Sequence, residues 1–418
     1  MIDAVVIGAG QAGLATSHHL ALRGVEHVVL ERGRVGDTWR SQRWDSFVLN
    51  TPNHMNRLPG ETSDSQPADG FAALDAHVAR LQAYADSQGC PVQLGATVTA
   101  IDMAREGHAF VATIVDASGE RTLETRSVVV ASGFQNVARV PPISRMFPVA
   151  LHQRHGADYR NPADLPPGAV LVVGSAQSGM QVVEDLLDAE RAVFLCTSGV
   201  ARLRRRYRGR DTFEWLIDEG FFDQRLDRLP DPRLRFVAQP AISGGGRFGH
   251  TVSLQYLAAH GATLLGRPTA IEGGRLQLED TLGSNIALGD RTSAEFNARI
   301  EKWINKEGLS AAPIEPDPAD QPHPNPMAVR SPASVDLEAA GIASVIWATG
   351  FTGDLGYLHP LVVDDVGMPS HDRGIAPVAG IYFVGFPWLS KKKSGIIFGV
   401  DEDAAFVADR LVERLTSE

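Results

Sequence analysis

The chain has 418 residues, 39 basic and 50 acidic, for a formal charge of −11 with histidine neutral. Hydrophobic residues are 44% and charged residues 21%, which excludes disorder as the main state and leaves room for two or more domains. The acidic balance argues against nucleic-acid binding, no apolar run reaches the roughly 18 residues of a membrane span, and Cys90 and Cys196 form neither a CxxC pair nor a zinc pattern.

The start, Met1-Ile2-Asp3-Ala4, lacks the basic region of a signal peptide. A reducing, cytoplasmic setting is therefore expected. Residues 4–8, Ala-Val-Val-Ile-Gly, read as a buried parallel strand. The turn Gly8-Ala9-Gly10-Gln11-Ala12-Gly13 follows, then a helical stretch from Leu14 to Arg23 and a strand ending on Glu31. Gly8 permits the tight turn, Gly10 the approach of a pyrophosphate, and Gly13 the packing of helix on strand. Glu31 lies 23 residues beyond Gly8, placed to accept from ribose hydroxyls and to repel a 2′-phosphate.

Helical periodicity spans 74–89, and strands are expected at 91–94 and 96–101. A hairpin is expected around 117–119, and Ser127 to Gly133 is an apolar strand ending in the small residues Ala131, Ser132 and Gly133. The nucleotide pattern then recurs. Residues 169–174 form a strand, Gly174-Ser175-Ala176-Gln177-Ser178-Gly179 is a second turn, and Thr197 ends the next strand after the same 23-residue interval. Ala176 replaces the middle glycine and Thr197 the acid. Six arginines follow between 202 and 210, the chemistry an adenosine 2′-phosphate needs. NADPH is thus expected here, with Ser198 and Arg202 or Arg204 on the phosphate.

Residues 295–308 read helical, 312–326 hold six prolines, and Gly244-Gly245-Gly246 is a loop. Ser344 to Phe351 repeats the small-residue strand end at Thr349 and Gly350. Ile381 to Gly385 is another strand, and a last helix is expected from Ser394 to Leu411, its first turn aimed at a cofactor. No metal cluster is expected, since His18 and His19 do not share a helix face.

These motifs resemble the two-dinucleotide flavoprotein oxidoreductases, and within them the flavin-containing monooxygenase group of class B enzymes. The residues carrying the likeness are Gly8 to Gly13, Glu31, Gly36-Asp37-Thr38-Trp39, Gly174 to Gly179, Ala348-Thr349-Gly350-Phe351 and the final Ser394-to-Ala404 segment. The group's fingerprint before the second turn is met at His155 and Tyr159 but not at Val149 and Leu151. The tyrosine favours the flavin-containing over the Baeyer–Villiger type.

The resemblance implies an α/β fold of two Rossmann-like units, the second inserted into the first: FAD-binding 1–155 and 325–418, NADPH-binding 156–324, with an extra segment at 204–324. FAD would meet Gly8, Gly10, Gln11, Ala12, Gly13, Glu31, Arg32, Gly36, Thr38, Trp39, Thr51, Val98, Ala131, Ser132, Gly133, Thr349, Gly350, Gly385 and Ser394. NADPH would meet Gly174, Ser175, Gln177, Ser178, Gly179, Ser198, Arg202 and Arg204. Asn50, with Asn53 as fallback, would serve at the isoalloxazine. His155 is either catalytic or a structural hydrogen-bonding residue, the latter favoured.

The implied activity is FAD- and NADPH-dependent monooxygenation, with O2 as co-substrate and a C4a-hydroperoxyflavin as oxidant. A small molecule would be oxygenated at nitrogen or sulfur. The alternatives are Baeyer–Villiger oxidation, a reductase or oxidase without oxygen insertion, and a redox-sensing module. No nucleic-acid partner and no membrane span are expected; a homodimer is the assembly considered.

Overall fold

The computed structural model describes residues 1–61, 67–104, 109–246, 249–322, 330–358, 362–363 and 367–417. Two parallel sheets carry the two glycine turns. In the first, strand Ile2–Ile7 lies between His27–Glu31 and the long Gly119–Val130. Val92–Leu94 extends one side and Ile381–Phe383 the other. The amino-terminal half of Gly119–Val130 also pairs antiparallel with Phe110–Asp116, which pairs with Thr97–Met103. The strand expected from Ser127 is therefore the end of a longer element that begins at Gly119 and joins the parallel and antiparallel parts of one seven-stranded sheet.

The second sheet has the same plan. Ala169–Val173 lies between Val193–Cys196 and Ile342–Trp347, flanked by Thr263–Leu265 and His152–His155, all parallel. A three-stranded antiparallel sheet, Arg267–Glu272, Arg275–Glu279 and Ser334–Asp336, again stands alongside. Each central strand buries apolar residues on two faces, because helices cover one side and the antiparallel strands the other. Val5, Val6, Val170, Leu171 and Val172 are all fully buried.

Three expectations need correction. The strand around 344–347 belongs to the second sheet, hydrogen-bonded to Ala169–Val173, and so does His152–His155; neither belongs with the first sheet. The expected boundary at 324–325 falls outside the described residues. The helix expected from 295 begins at Leu282 and runs to Glu307. Gly283, Gly289 and Ser293 lower its intrinsic propensity, but small residues let it close over 200–202, with a Cβ on Gly289 only 3.6 Å from that of Arg202. The last helix begins at Val400 rather than 394. Gly395 has φ +82, and a Cβ at Gly399 would meet Lys393 O at 2.2 Å, so this stretch turns instead of winding.

Candidate functional site

At the first turn Gly8 has φ +104, and a Cβ there would sit 2.8 Å from Ala131 O. A Cβ on Gly13 would lie 1.8 Å from Gly8 O, whereas one on Gly10 meets nothing within 4 Å. Strand, turn and helix are thus in contact, and the space before Gly10 is open. Helix Gln11–Leu22 has no side-chain cap, leaving the Gln11, Ala12 and Gly13 amides for an anion. Glu31 is buried and accepts from Ala9 N at 2.7 Å and Gly33 N at 2.9 Å. Each oxygen keeps a lone pair for a ribose hydroxyl. Ala96 N donates to Glu31 O, bringing Val98 to the same edge; Val98 is itself buried, and Arg32 is exposed.

Ala131 N donates to Ile7 O, and Ser132 Oγ meets Tyr357 Oη at 2.8 Å beside Gly133, φ +79. Gly36, φ +68, precedes the short helix carrying Thr38 and Trp39. Trp39 Nε1 donates to Gln11 Oε1 at 3.1 Å, and its ring stands edge-on to His77 at 4.8 Å. Burial, aided by Arg80, takes the His77 pKa down to about 4, so this ring is neutral packing. Arg43 lies 5.1 Å from the Trp39 ring; burial lowers its pKa to about 10. Gly385 passes so close to the first helix that a Cβ would be 2.4 Å from Ala12 Cβ.

The segment 44–56 straps the two units together. Asn50 Oδ1 accepts from Gln181 Nε2 at 3.1 Å, and its backbone oxygen accepts from Arg205 at 2.7 Å. Asn50 Nδ2 has no partner among the described residues. Asn53 is buried and donates to Pro67 O at 2.9 Å, and Thr51 bonds Asn56, so both hold the strap's own shape. His155 is also committed. Ala157 N donates to its Nδ1 and its Nε2 faces Gly350 O, each at 3.0 Å. A carbonyl only accepts, so Nε2 carries the proton. Burial pulls the His155 pKa down against that hydrogen bond. These bonds tie the strand end to residue 350. Thr349 Oγ1 donates to Arg139 O.

The second turn repeats the first. Gly174 has φ +106 with a Cβ 2.5 Å from Ala348 O, and a Cβ on Gly179 would be 1.9 Å from Gly174 O. Helix Gln177–Asp188, which carries Ser178 in its first turn, is uncapped behind Ala176. Ser198 N donates to Ser175 Oγ at 2.9 Å, and Ser198 itself is exposed at the strand end.

The arginines are not free. Arg202, 8% exposed, pairs with Asp290 at 2.8 Å and Asp320 at 2.6 Å; Arg204 pairs with Asp320. Arg205 is enclosed with Asp211, and Arg208 pairs with Glu301. Acids distant in sequence, Asp290 and Asp320, thus pair with both of the arginines expected at a 2′-phosphate. Gln177 is likewise spent on both backbone groups of Ile242. Ser394 accepts from Ser390 N and Lys391 N, each at 3.1 Å, shaping a turn before the last helix rather than starting it.

Residues 5–212, just short of half the chain, match the family model described as pyridine nucleotide-disulphide oxidoreductase. Over 415 residues and 99% of both chains, the sequence is 27% identical to an uncharacterized oxidoreductase CzcO-like of Geobacillus kaustophilus. Over 189 residues, 44% of each chain, it is 35% identical to indole-3-pyruvate monooxygenase YUCCA1 of Oryza sativa subsp. japonica. The fold resembles a flavin-containing monooxygenase from Stenotrophomonas maltophilia, TM-score 0.63 at 19% identity over 99% of both chains. Over residues 5–212 the chain is thus similar to the pyridine nucleotide-disulphide oxidoreductases, and its whole fold to that of a flavin-containing monooxygenase.

Cys90 and Cys196 are unpaired, and burial pushes both thiols up. The chain has a cavity of about 240 Å³ between the strap, the second nucleotide helix, residues 243–246 and His250. Trp44 and Tyr256 are its aromatic walls and Glu184, Asp185 and Asp188 its carboxylates. Asp185 is held by Tyr159 and Ser46. Glu184 lies 2.5 Å from His250 Nε2. Burial lowers the His250 pKa, but this carboxylate leaves it above the ordinary value. Gln181 is 8% exposed, and its Oε1 has no partner among the described residues. Sequence reasoning missed this site. Gln181, Glu184 and Asp188 share a helix face, but nothing local shows what the face meets.

Proposed function

We propose that this flavoprotein is an NADPH-dependent monooxygenase acting on a nucleophilic nitrogen of a small cationic molecule. The cavity carries the reading. Its unpartnered, buried Gln181 Oε1 is an acceptor, and carboxylates surround it, so the complementary ligand is a donor with positive charge. Gln181 is also one hydrogen bond from Asn50, which connects this cavity to the strap. An anionic keto acid, such as the rice relative's name implies, would meet repulsion from Glu184 and Asp188.

Gly8, Gly10, Gly13 and Glu31 would hold FAD's adenosine and diphosphate; Gly174, Ser175, Gly179 and Ser198 would hold NADPH. When bound, FAD supplies hydride acceptance from NADPH and activation of oxygen. The protein's share is orientation and protection. Asn50 Nδ2 is available to donate to the oxygen being transferred. Glu184, steadied by His250, is the base placed to take the ammonium proton and expose the nitrogen lone pair. Trp44 and Tyr256 limit water. Units of about 1–150 with 349–418, and about 151–348, fit the two sheets.

The test is turnover of the flavin-loaded protein with a panel of amines, thioethers and ketones. NADPH use matched by N-oxygenated product from amines is expected. Hydrogen peroxide release without product across the panel would leave only the oxidase reading, and product from ketones alone would favour Baeyer–Villiger chemistry.

A further inference from the structure

His54, Asp69 and Glu214 share no motif, yet the fold brings one donor atom of each within 4.8 Å of the others. His54 lies near the end of the strap, Asp69 is exposed on the segment returning from it, and Glu214 is in helix Thr212–Asp218 of the inserted unit. The donors are already oriented. His54 Nδ1 lies 2.9 Å from Ala68 O; a carbonyl only accepts, so Nδ1 carries the proton and Nε2 presents a lone pair. That Nε2 is 3.8 Å from Glu214 Oε1. Glu214 Oε2 is held by Arg210 Nε at 3.0 Å, leaving Oε1 facing the histidine. An imidazole fixed through its other nitrogen and a carboxylate fixed through its other oxygen are the outer-sphere arrangement of metal sites.

We propose that these three residues bind a first-row divalent cation, Zn2+ or Mn2+, that clamps the strap region to the inserted unit. Imidazole with two carboxylates suits these ions over Ca2+ or Mg2+. Bonds of about 2.1 Å put tetrahedral donors about 3.4 Å apart, so side-chain rotation of under about 1.5 Å closes the set. Water would fill the remaining positions on the exposed side. The Arg210 charge opposes binding, which favours an ion that gains strongly from the imidazole. The expectation that the chain lacks a metal site is revised accordingly; no linear pattern joins positions 54, 69 and 214.

Chelator-treated, flavin-loaded protein should be titrated calorimetrically with ZnCl2 and with MnCl2. One equivalent of at least one ion per chain is expected, with a rise in Tm on binding. His54→Asn, Glu214→Gln and Asp69→Asn should each weaken binding roughly tenfold or more and remove the Tm rise. Asp69 is exposed, so its variant folds even if another does not, and retained flavin absorbance reports folding. No stoichiometric binding by the wild type, or unchanged binding in all three variants, overturns the proposal. The readout needs no turnover, so it is independent of the monooxygenase reading.

Discussion

The two glycine turns share a backbone and differ in what surrounds it. Gly10 and Ala176 adopt nearly the same extended conformation, φ −84 and −77, and each precedes an uncapped helix. Around the first, Glu31 reaches back to the turn's Ala9 amide and the space ahead is open. Around the second, Gln177 is fastened to Ile242, the arginines are consumed by Asp290, Glu301 and Asp320, and helix Leu282–Glu307 closes over the strand end. A turn is a local event, set by six residues. The electrostatics of the site it opens onto are set by whichever elements later pack there.

The sharpest way to separate the turns is Gly13→Ala against Gly179→Ala. Each adds a Cβ within 2 Å of a backbone oxygen, a clash costing about 3 kcal/mol. Gly13→Ala should purify without flavin. Gly179→Ala should keep flavin, read by absorbance, but lose NADPH-driven anaerobic reduction. If both lose flavin, the turns are not independent.

Arg202→Met tests the arginines. It leaves Asp290 without its cation and Asp320 with Arg204 alone, and since both acids are partly exposed the loss is about 2 kcal/mol. Tm should fall while the NADPH-to-NADH preference changes less than about twofold. A selective loss of NADPH would restore the phosphate role. Glu31→Gln is milder, since one amide keeps its acceptor. Flavin affinity, followed by fluorescence, should drop about tenfold, the worth of one hydrogen bond to a charged group. An unchanged affinity would mean Glu31 only braces the turn.

The smallest effect is pH-dependent. The His250 pKa is raised in the folded protein despite burial, because of Glu184. Its contribution is therefore full below about 6.5 and disappears as pH rises through the raised value. His250 is partly exposed, so a few tenths of a kcal/mol are at stake. Glu184→Gln should flatten that slope in Tm against pH.

Both nucleotide units were legible because each is a contiguous pattern of strand, glycine turn, helix and strand, with sterics that only glycine satisfies at Gly13 and Gly179. Glu31 was legible for the same reason. The roles of Arg202 and Gln177 were not, because their partners lie in segments 65 to 118 residues away. The strand ending at Trp347 was recognised, but its sheet was not; pairing is decided by neighbours, not by its own residues. His155 carried two readings from sequence, and the sequence alone did not show that both ring nitrogens would be hydrogen-bonded, to Ala157 N and Gly350 O.

One ribbon has a broader consequence. Val137–Ala138, where the chain leaves the first sheet, pairs antiparallel with Phe351–Thr352, where it returns. Departure and return are thus side by side, sealed by Arg139 N to Gly350 O at 3.0 Å. Topologically everything between is a loop whose ends are already closed, so its length adds little to the entropy of folding the rest. During synthesis, however, strand Ile381–Phe383 and helix Val400–Ser417 complete the first sheet only after the entire insertion has emerged. The amino-terminal nucleotide site is thus begun first and finished last.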